Sequence, residues 1–232
     1  MPRVKPGDVG HPVMICGGGP SLDAQLDKVR AHPGDIWAVN HTADWLLDRG
    51  VDAVFCTVDP LLKSTTAARR IVATCANPSL HNDLTQVFAA IEHEKDGVPG
   101  GTTTATRLCA LAVRLGYPGV IFVGTDSCFT GADHVDRDER LPEQLIVRAG
   151  GRDYLTYPEL YMQAQCIADI VKVCPEYFQN WSGGLVDAML SDPDWEVVAV
   201  STKLRDSLVS YSGCEELYAG TYVAAGRSGA GD

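Results

Sequence analysis

The chain has 232 residues, 45% hydrophobic and 21% charged, with a formal net charge of −11. That length closes one sizeable core and fits a single domain. The acidic balance argues against a broad electrostatic grip on nucleic acid, and no apolar run reaches the ~20 residues of a membrane helix.

Residues 1–10 are polar and contain Pro and Gly, so they read as a loose arm without an apolar signal segment. Pro12 to Cys16 is a short apolar run stopped by Gly17, Gly18 and Gly19, the pattern of a buried strand entering a tight turn. Leu22, Leu26 and Val29 then share a helical face, with Ser21 placed to cap that helix and Asp23 in its first turn. Ile36 to Val39 reads as a second strand ending at Asn40 and His41. A short helix follows with Ala43, Leu46 and Leu47 inward, stopped by Gly50. Val51 to Val58 reads as a third strand ending at Asp59-Pro60. Three strand–helix alternations in so short a span predict a parallel α/β sheet.

Between residues 61 and 98 the pattern is ambiguous: Ala67 to Ala73 reads as helix running into strand, and Gln86 to His93 fits either. Gly100 to Thr104 opens a helix with Leu108, Leu111, Ala112 and Leu115 inward, ended by Gly116. Val120 to Val123 is another buried strand, tipped by Gly124, Thr125 and Asp126. Residues 130–153 form a charged, Gly-containing stretch of the length used by lids and binding loops. A helix from Pro158 to Val173, a strand near Tyr177 to Asn180, a helix opened by Ser182-Gly183-Gly184 and a last strand from Val197 to Val200 complete the pattern. The expected fold is a Rossmann-like, three-layer α/β fold with a mostly parallel sheet. It forms one nucleotide-binding domain over residues 11–205, with flexible termini at 1–10 and 226–232.

Eight cysteines contain no C-x-x-C pair and no zinc-finger partner histidine. Cys16, Cys56, Cys109 and Cys166 lie in apolar runs, so reduced, mostly buried thiols and a cytoplasmic location are expected.

Four groups of residues are candidates for chemistry. Gly17, Gly18, Gly19, Pro20 and Ser21 form a turn that lets backbone amides approach a phosphate, although it is neither a Walker A loop nor G-x-G-x-x-G. Asn40 with His41, Asp59, and Thr125 with Asp126 follow three different strands and fall on one sheet edge, where open parallel sheets bind ligands. Each of these alone is equally a turn residue, Asp59 before Pro60 above all. Thr102 and Thr103 either cap the following helix or donate to a ligand. His134 sits in the charged loop, as a solvated residue or as a general base if the loop folds over the site.

The string from Val13 to Leu22 resembles the 6-hydroxymethylpterin diphosphokinase MptE-like family, which carries a Gly-x-Gly-Pro-Ser-Leu turn after its first strand. Gly124 to Phe129 is similar to that family's Gly-x-Asp-x-x-Phe strand end, and Asn180 to Gly184 to its late Asn-x-Ser/Thr-x-Gly-Gly turn. Archaeal pterin kinases with this layout transfer diphosphate from ATP with magnesium. Their Asp-x-Asp-Gly and His-Ala-His-Gly-Asp-Asn strings are absent here, where Val58-Asp59-Pro60 stands instead. Motility-associated glycosyltransferases and bacterial sialyltransferases share the layout, and the latter have an Asn that resembles Asn40 and a catalytic His in the segment of His134.

The resemblance implies a nucleotide-dependent, glycosyltransferase-like enzyme that moves a group from a nucleotide or nucleotide-sugar donor to a hydroxyl acceptor. Donor phosphates are expected on the amides of Gly18, Gly19 and Ser21. Asn40 and Asp126 would hold base, ribose or acceptor, and His134 or Asp126 would take the acceptor proton. Two alternatives stand beside it: an ATP-dependent diphosphokinase with magnesium on Asp59 and Asp126, and a non-catalytic nucleotide-binding accessory protein.

Overall fold

In the computed structural model, which describes residues 9–89, 98, 100–101, 103–129 and 144–200, the strands are β1 (Val13–Cys16), β2 (Ile36–Val39), β3 (Val54–Thr57), β4 (Arg70–Ala73), β5 (Thr85–Phe88), β6 (Val120–Val123), β7 (Leu145–Ala149), β8 (Arg152–Thr156), β9 (Phe178–Asn180) and β10 (Glu196–Val200). The helices are α1 (Ser21–Ala24), α2 (Leu26–Arg30), α3 (Thr42–Leu47), α4 (Thr104–Leu115), α5 (Pro158–Val173) and α6 (Gly184–Ser191).

All four residues of β1 are apolar and buried, as a strand covered on both faces requires. It sits inside a seven-stranded sheet of order β5-β4-β3-β2-β1-β6-β9, in which every pairing is parallel. Along β1 the side chains alternate between two cores. Val13 and Ile15 join Leu108, Ile167 and Met189 from α4, α5 and α6, while Met14 and Cys16 join Leu22, Val29 and Leu46 from α1, α2 and α3. Two apolar layers on opposite sides of one sheet make the three-layer Rossmann-like architecture. The chain runs outward from β1 to β5, then returns to place β6 on the other side of β1. That reversal opens a crevice at the carboxyl ends of β1 and β6, the usual ligand position in such sheets.

Several expectations change. The helix after the glycines is two short pieces broken at Gln25. Ser21 does not cap it: Pro20 holds the cap position, and the Ser21 hydroxyl is used elsewhere. Both ambiguous stretches contribute parallel strands: Ile71 and Val72 pair beside β3, and Val87 pairs beside β4, so that β5 forms the edge of the sheet. The described part of the 130–153 stretch is not loop. β7 and β8 form a hairpin closed by Gly150 and Gly151, both with positive φ (56° and 71°), the signature of a tight two-residue turn. β10 adds antiparallel to β7 in this separate three-stranded sheet rather than extending the parallel one. The termini expected to be flexible lie outside the described residues except for Val9 and Gly10, and His134 lies outside them as well.

Candidate functional site

Where β1 and β6 end, their loops are packed backbone against backbone. The Gly17 amide donates to the Val123 carbonyl at 2.8 Å, and the Gly19 amide to the Gly124 carbonyl at 2.7 Å. A Cβ on Gly17 would stand 2.5 Å from the Gly124 carbonyl oxygen, so this approach admits no side chain. The glycines therefore first serve to let β1 and β6 close on each other.

Asp126, 2% exposed, completes the junction. Its Oδ2 accepts the Ser21 amide at 2.7 Å; its Oδ1 accepts the Ser21 hydroxyl and, at 3.1 Å, the Gly183 amide. A buried carboxylate needs such donors, and here two neighbouring loops supply them. This corrects the expected phosphate cradle: the Gly19 and Ser21 amides already donate within the chain, and α1 is only four residues long. The Gly18 amide has no acceptor among the described residues.

Thr125 is equally committed, its amide and hydroxyl each 2.8 Å from the Ser182 hydroxyl oxygen. Ser127 holds a left-handed conformation (φ 58°), fixed by the Thr156 hydroxyl on its carbonyl at 2.7 Å and by Gln163 on its hydroxyl at 3.0 Å.

Around this junction lies a cavity of about 470 Å³, lined by Gly17, Gly18, Gly19, Asn40, His41, Asp59, Thr103, Thr104, Ala105, Thr125, Asp126, Tyr157, Glu159, Leu160 and Gln163, among others. The candidates from β1, β2, β3, α4 and β6 thus share one cavity. Pro20 and Ser21 lie outside its lining, and Thr102 lies outside the described residues.

Asn40 is the second non-glycine residue with positive φ (53°). The Thr57 hydroxyl accepts the Asp59 amide at 2.9 Å, so its own proton goes to Asn40 Oδ1 at 2.8 Å. That bond fixes the side-chain amide and leaves Nδ2 without an acceptor among the described residues. Asp59 itself closes a turn by accepting the Leu61 amide at 2.7 Å.

Thr103 caps α4 by accepting the Thr106 amide at 3.4 Å. The two amides before Thr106 are different. Thr104 and Ala105 are 5% and 2% exposed, and neither amide has an acceptor among the described residues. A twelve-residue helix thus opens its N-terminus, with two buried orphan donors, onto the cavity.

The described lining carries no Lys or Arg, so His41 is its one group able to become a cation. Cys128 also lines the cavity, but burial pushes its thiol up to about 12, which rules out a thiolate nucleophile at neutral pH. Among the described residues no cluster of three or more His, Cys, Asp or Glu is placed to hold a metal ion. Thr57, Glu159, Gln163 and the two α4 amides were not singled out from sequence. His41 was a candidate there beside Asn40, at the end of a strand.

A model of the 6-hydroxymethylpterin diphosphokinase MptE-like family matches residues 3–132, more than half of the chain. The chain belongs to that family. No curated protein matches this MptE-like chain. Among solved structures it is similar to the MAf glycosyltransferase from Magnetospirillum magneticum AMB-1, with a TM-score of 0.59 and 14% identity over 79% of this chain. The match covers 34% of that glycosyltransferase, so the MptE-like chain corresponds to about a third of its length. At this identity the likeness establishes a shared fold. Among the described residues no helix is long and apolar enough to cross a membrane.

Proposed function

We propose that the chain is a nucleotide-dependent transferase of glycosyltransferase type, acting in a reducing cytoplasm, and that the donor phosphates lie against the N-terminus of α4. The observation that carries this reading is the pair of buried, unpartnered amides of Thr104 and Ala105 facing the cavity. Orphan amides at a helix start stabilise an anion through both hydrogen bonds and the helix dipole. The Gly18 amide and Asn40 Nδ2 add two further neutral donors across the cavity, and His41 adds the one ionisable nitrogen of the described lining. The diphosphokinase MptE-like family and the glycosyltransferase that shares the fold both support group transfer.

In the proposed step an acceptor hydroxyl oxygen bonds to the activated centre of the donor while the bond from that centre to the nucleotide phosphate breaks. The electron pair stays on the phosphate oxygen, where preorganised amides stabilise the new charge. Asp126 is not available as the base, because its oxygens already accept three hydrogen bonds.

The family description favours the diphosphokinase as the second reading. A resident magnesium on Asp59 and Asp126 does not fit the described residues, since the first closes a turn and the second already accepts three hydrogen bonds from within the protein on its two oxygens. A calorimetric screen of ATP, nucleoside diphosphates and nucleotide sugars, with and without magnesium, separates the readings. Preference for a nucleotide sugar supports the glycosyltransferase. Preference for ATP with magnesium, and diphosphate transfer to a hydroxymethylpterin, supports the kinase. Nucleotide binding without turnover of any donor supports the accessory protein.

A further inference from the structure

One wall of the cavity differs chemically from the rest. Gln163, on α5, is 9% exposed and lines the cavity. Its Nε2 donates to the Ser127 hydroxyl oxygen at 3.0 Å. The Ser127 proton goes to the Thr125 carbonyl at 3.0 Å, so that oxygen can only accept from Gln163. The amide is thereby locked, and Oε1 is left without a donor among the described residues. Four residues earlier on the same helix face stands Glu159, also lining the cavity, its carboxylate likewise without a donor among the described residues. Tyr157 and Leu160 supply apolar surface beside them, the Tyr157 ring backed by Phe129 at 5.4 Å between centroids.

This wall offers acceptor oxygens and a flat apolar face. It repels phosphate and suits a neutral ring that carries hydroxyls. We propose that the α5 wall is the acceptor subsite of the transferase, that Glu159 is the general base, and that Gln163 Oε1 positions a second hydroxyl of a neutral polyhydroxy ring. The inference rests on the transferase reading above. In the step, the reacting hydroxyl gives its proton to a Glu159 carboxylate oxygen as its own oxygen bonds to the donor's activated centre. The donor's bond to the nucleotide phosphate breaks, and the nucleotide leaves with the electron pair. Glu159 is the carboxylate for this task because Asp126 and Asp59 both accept hydrogen bonds from the chain itself.

The test uses the full chain, a panel of nucleotide sugars as donors, and free hexoses or water as acceptors. Donor affinity is measured by calorimetry and turnover by nucleotide release. In Glu159→Gln and Glu159→Ala, kcat is expected to fall about 100-fold or more, with donor Kd unchanged within about twofold. Added formate should restore part of the activity of Glu159→Ala, which a merely structural role would not allow. Gln163→Leu should raise the KM for the hexose about tenfold, the loss of roughly one hydrogen bond, and leave donor Kd alone. Glu159 is on an exposed helix turn, so its variants keep the fold whatever happens at Gln163. Near-native turnover by Glu159→Gln, absence of formate rescue, or a loss confined to donor affinity would overturn the subsite while leaving the transferase standing. A wild-type chain that binds or turns over no nucleotide donor would overturn both.

Discussion

Ser21 gives both its main-chain amide and its hydroxyl to the two carboxylate oxygens of Asp126, a residue 105 positions away. With the Gly183 amide on the same carboxylate, this contact fastens the β1–α1 turn, the end of β6 and the β9–α6 turn into one rigid edge. The floor of the cavity is therefore set by an internal anion, and the ligand is left to meet the donors that the anion does not use.

Asp126→Asn replaces one acceptor oxygen by a donor, and either amide orientation faces a backbone N–H. A loss of about 3 kcal/mol in urea unfolding is expected, the cost of hydrogen bonds to a charged group plus a buried mismatch. Ser21→Ala keeps both backbone donors and should cost only about 1 kcal/mol. Equal stability of Asp126→Asn and wild type would show that the carboxylate does not hold the loops together.

Asn40 combines a positive φ with a side-chain N–H group that has no acceptor among the described residues, and substitution can separate the two. Asn40→Gly keeps the backbone conformation and removes the donor, so nucleotide affinity should fall about tenfold, with about 1 kcal/mol of stability lost with the Thr57 hydroxyl bond. Asn40→Ala should lose the same affinity and about 1 kcal/mol more stability from the strained backbone. Calorimetry with thermal unfolding on both variants checks this. Unchanged affinity in both would remove Asn40 from the site.

The sheet was legible where apolar runs stop at polar or glycine turns, as at Cys16–Gly17 and Val123–Gly124, because a doubly covered parallel strand has no other place for polar atoms. The pooling of Asn40, Asp59, Thr125 and Asp126 at one edge followed from the same logic. Their roles did not. Sequence cannot say that the Asp126 carboxylate turns inward to Ser21, since that contact depends on how closely the two glycine loops approach. The hairpin of β7 and β8 was hidden by its charged surface residues, Arg148 and Asp153, which pair with each other at 2.8 Å. Gln163 and Glu159 read only as helix residues until Ser127 showed which way the amide faces.

Burial raises the thiols of Cys16, Cys109 and Cys128 to about 12, and that of Cys56 well above its usual value. The folded chain thus keeps protons that the unfolded chain releases above about pH 9. Stability should be unaffected below pH 9 and fall as pH rises toward 12, by up to about 1.4 kcal/mol per pH unit for each such thiol. Urea midpoints at pH 8, 9.5 and 10.5 check the sign, and Cys16→Ala should make the slope shallower. At pH 8 a maleimide should label the exposed Cys75 before these four. Rapid native-state labelling of Cys16 or Cys56 would contradict the burial.

The orphan amides of α4 are tested most directly by Thr104→Pro. Thr104 is the first helical residue, where proline fits, and Thr103 before it is already extended (φ −103°, ψ 159°), as a residue preceding proline must be. The substitution deletes one cavity-facing N–H and leaves the helix in place. Calorimetry of wild type and Thr104→Pro against the tightest nucleotide from the screen should show affinity reduced about tenfold or more, the loss of a charge-assisted hydrogen bond, with Tm preserved. Equal affinity in a folded Thr104→Pro chain would place the nucleotide phosphates elsewhere and contradict the proposed site.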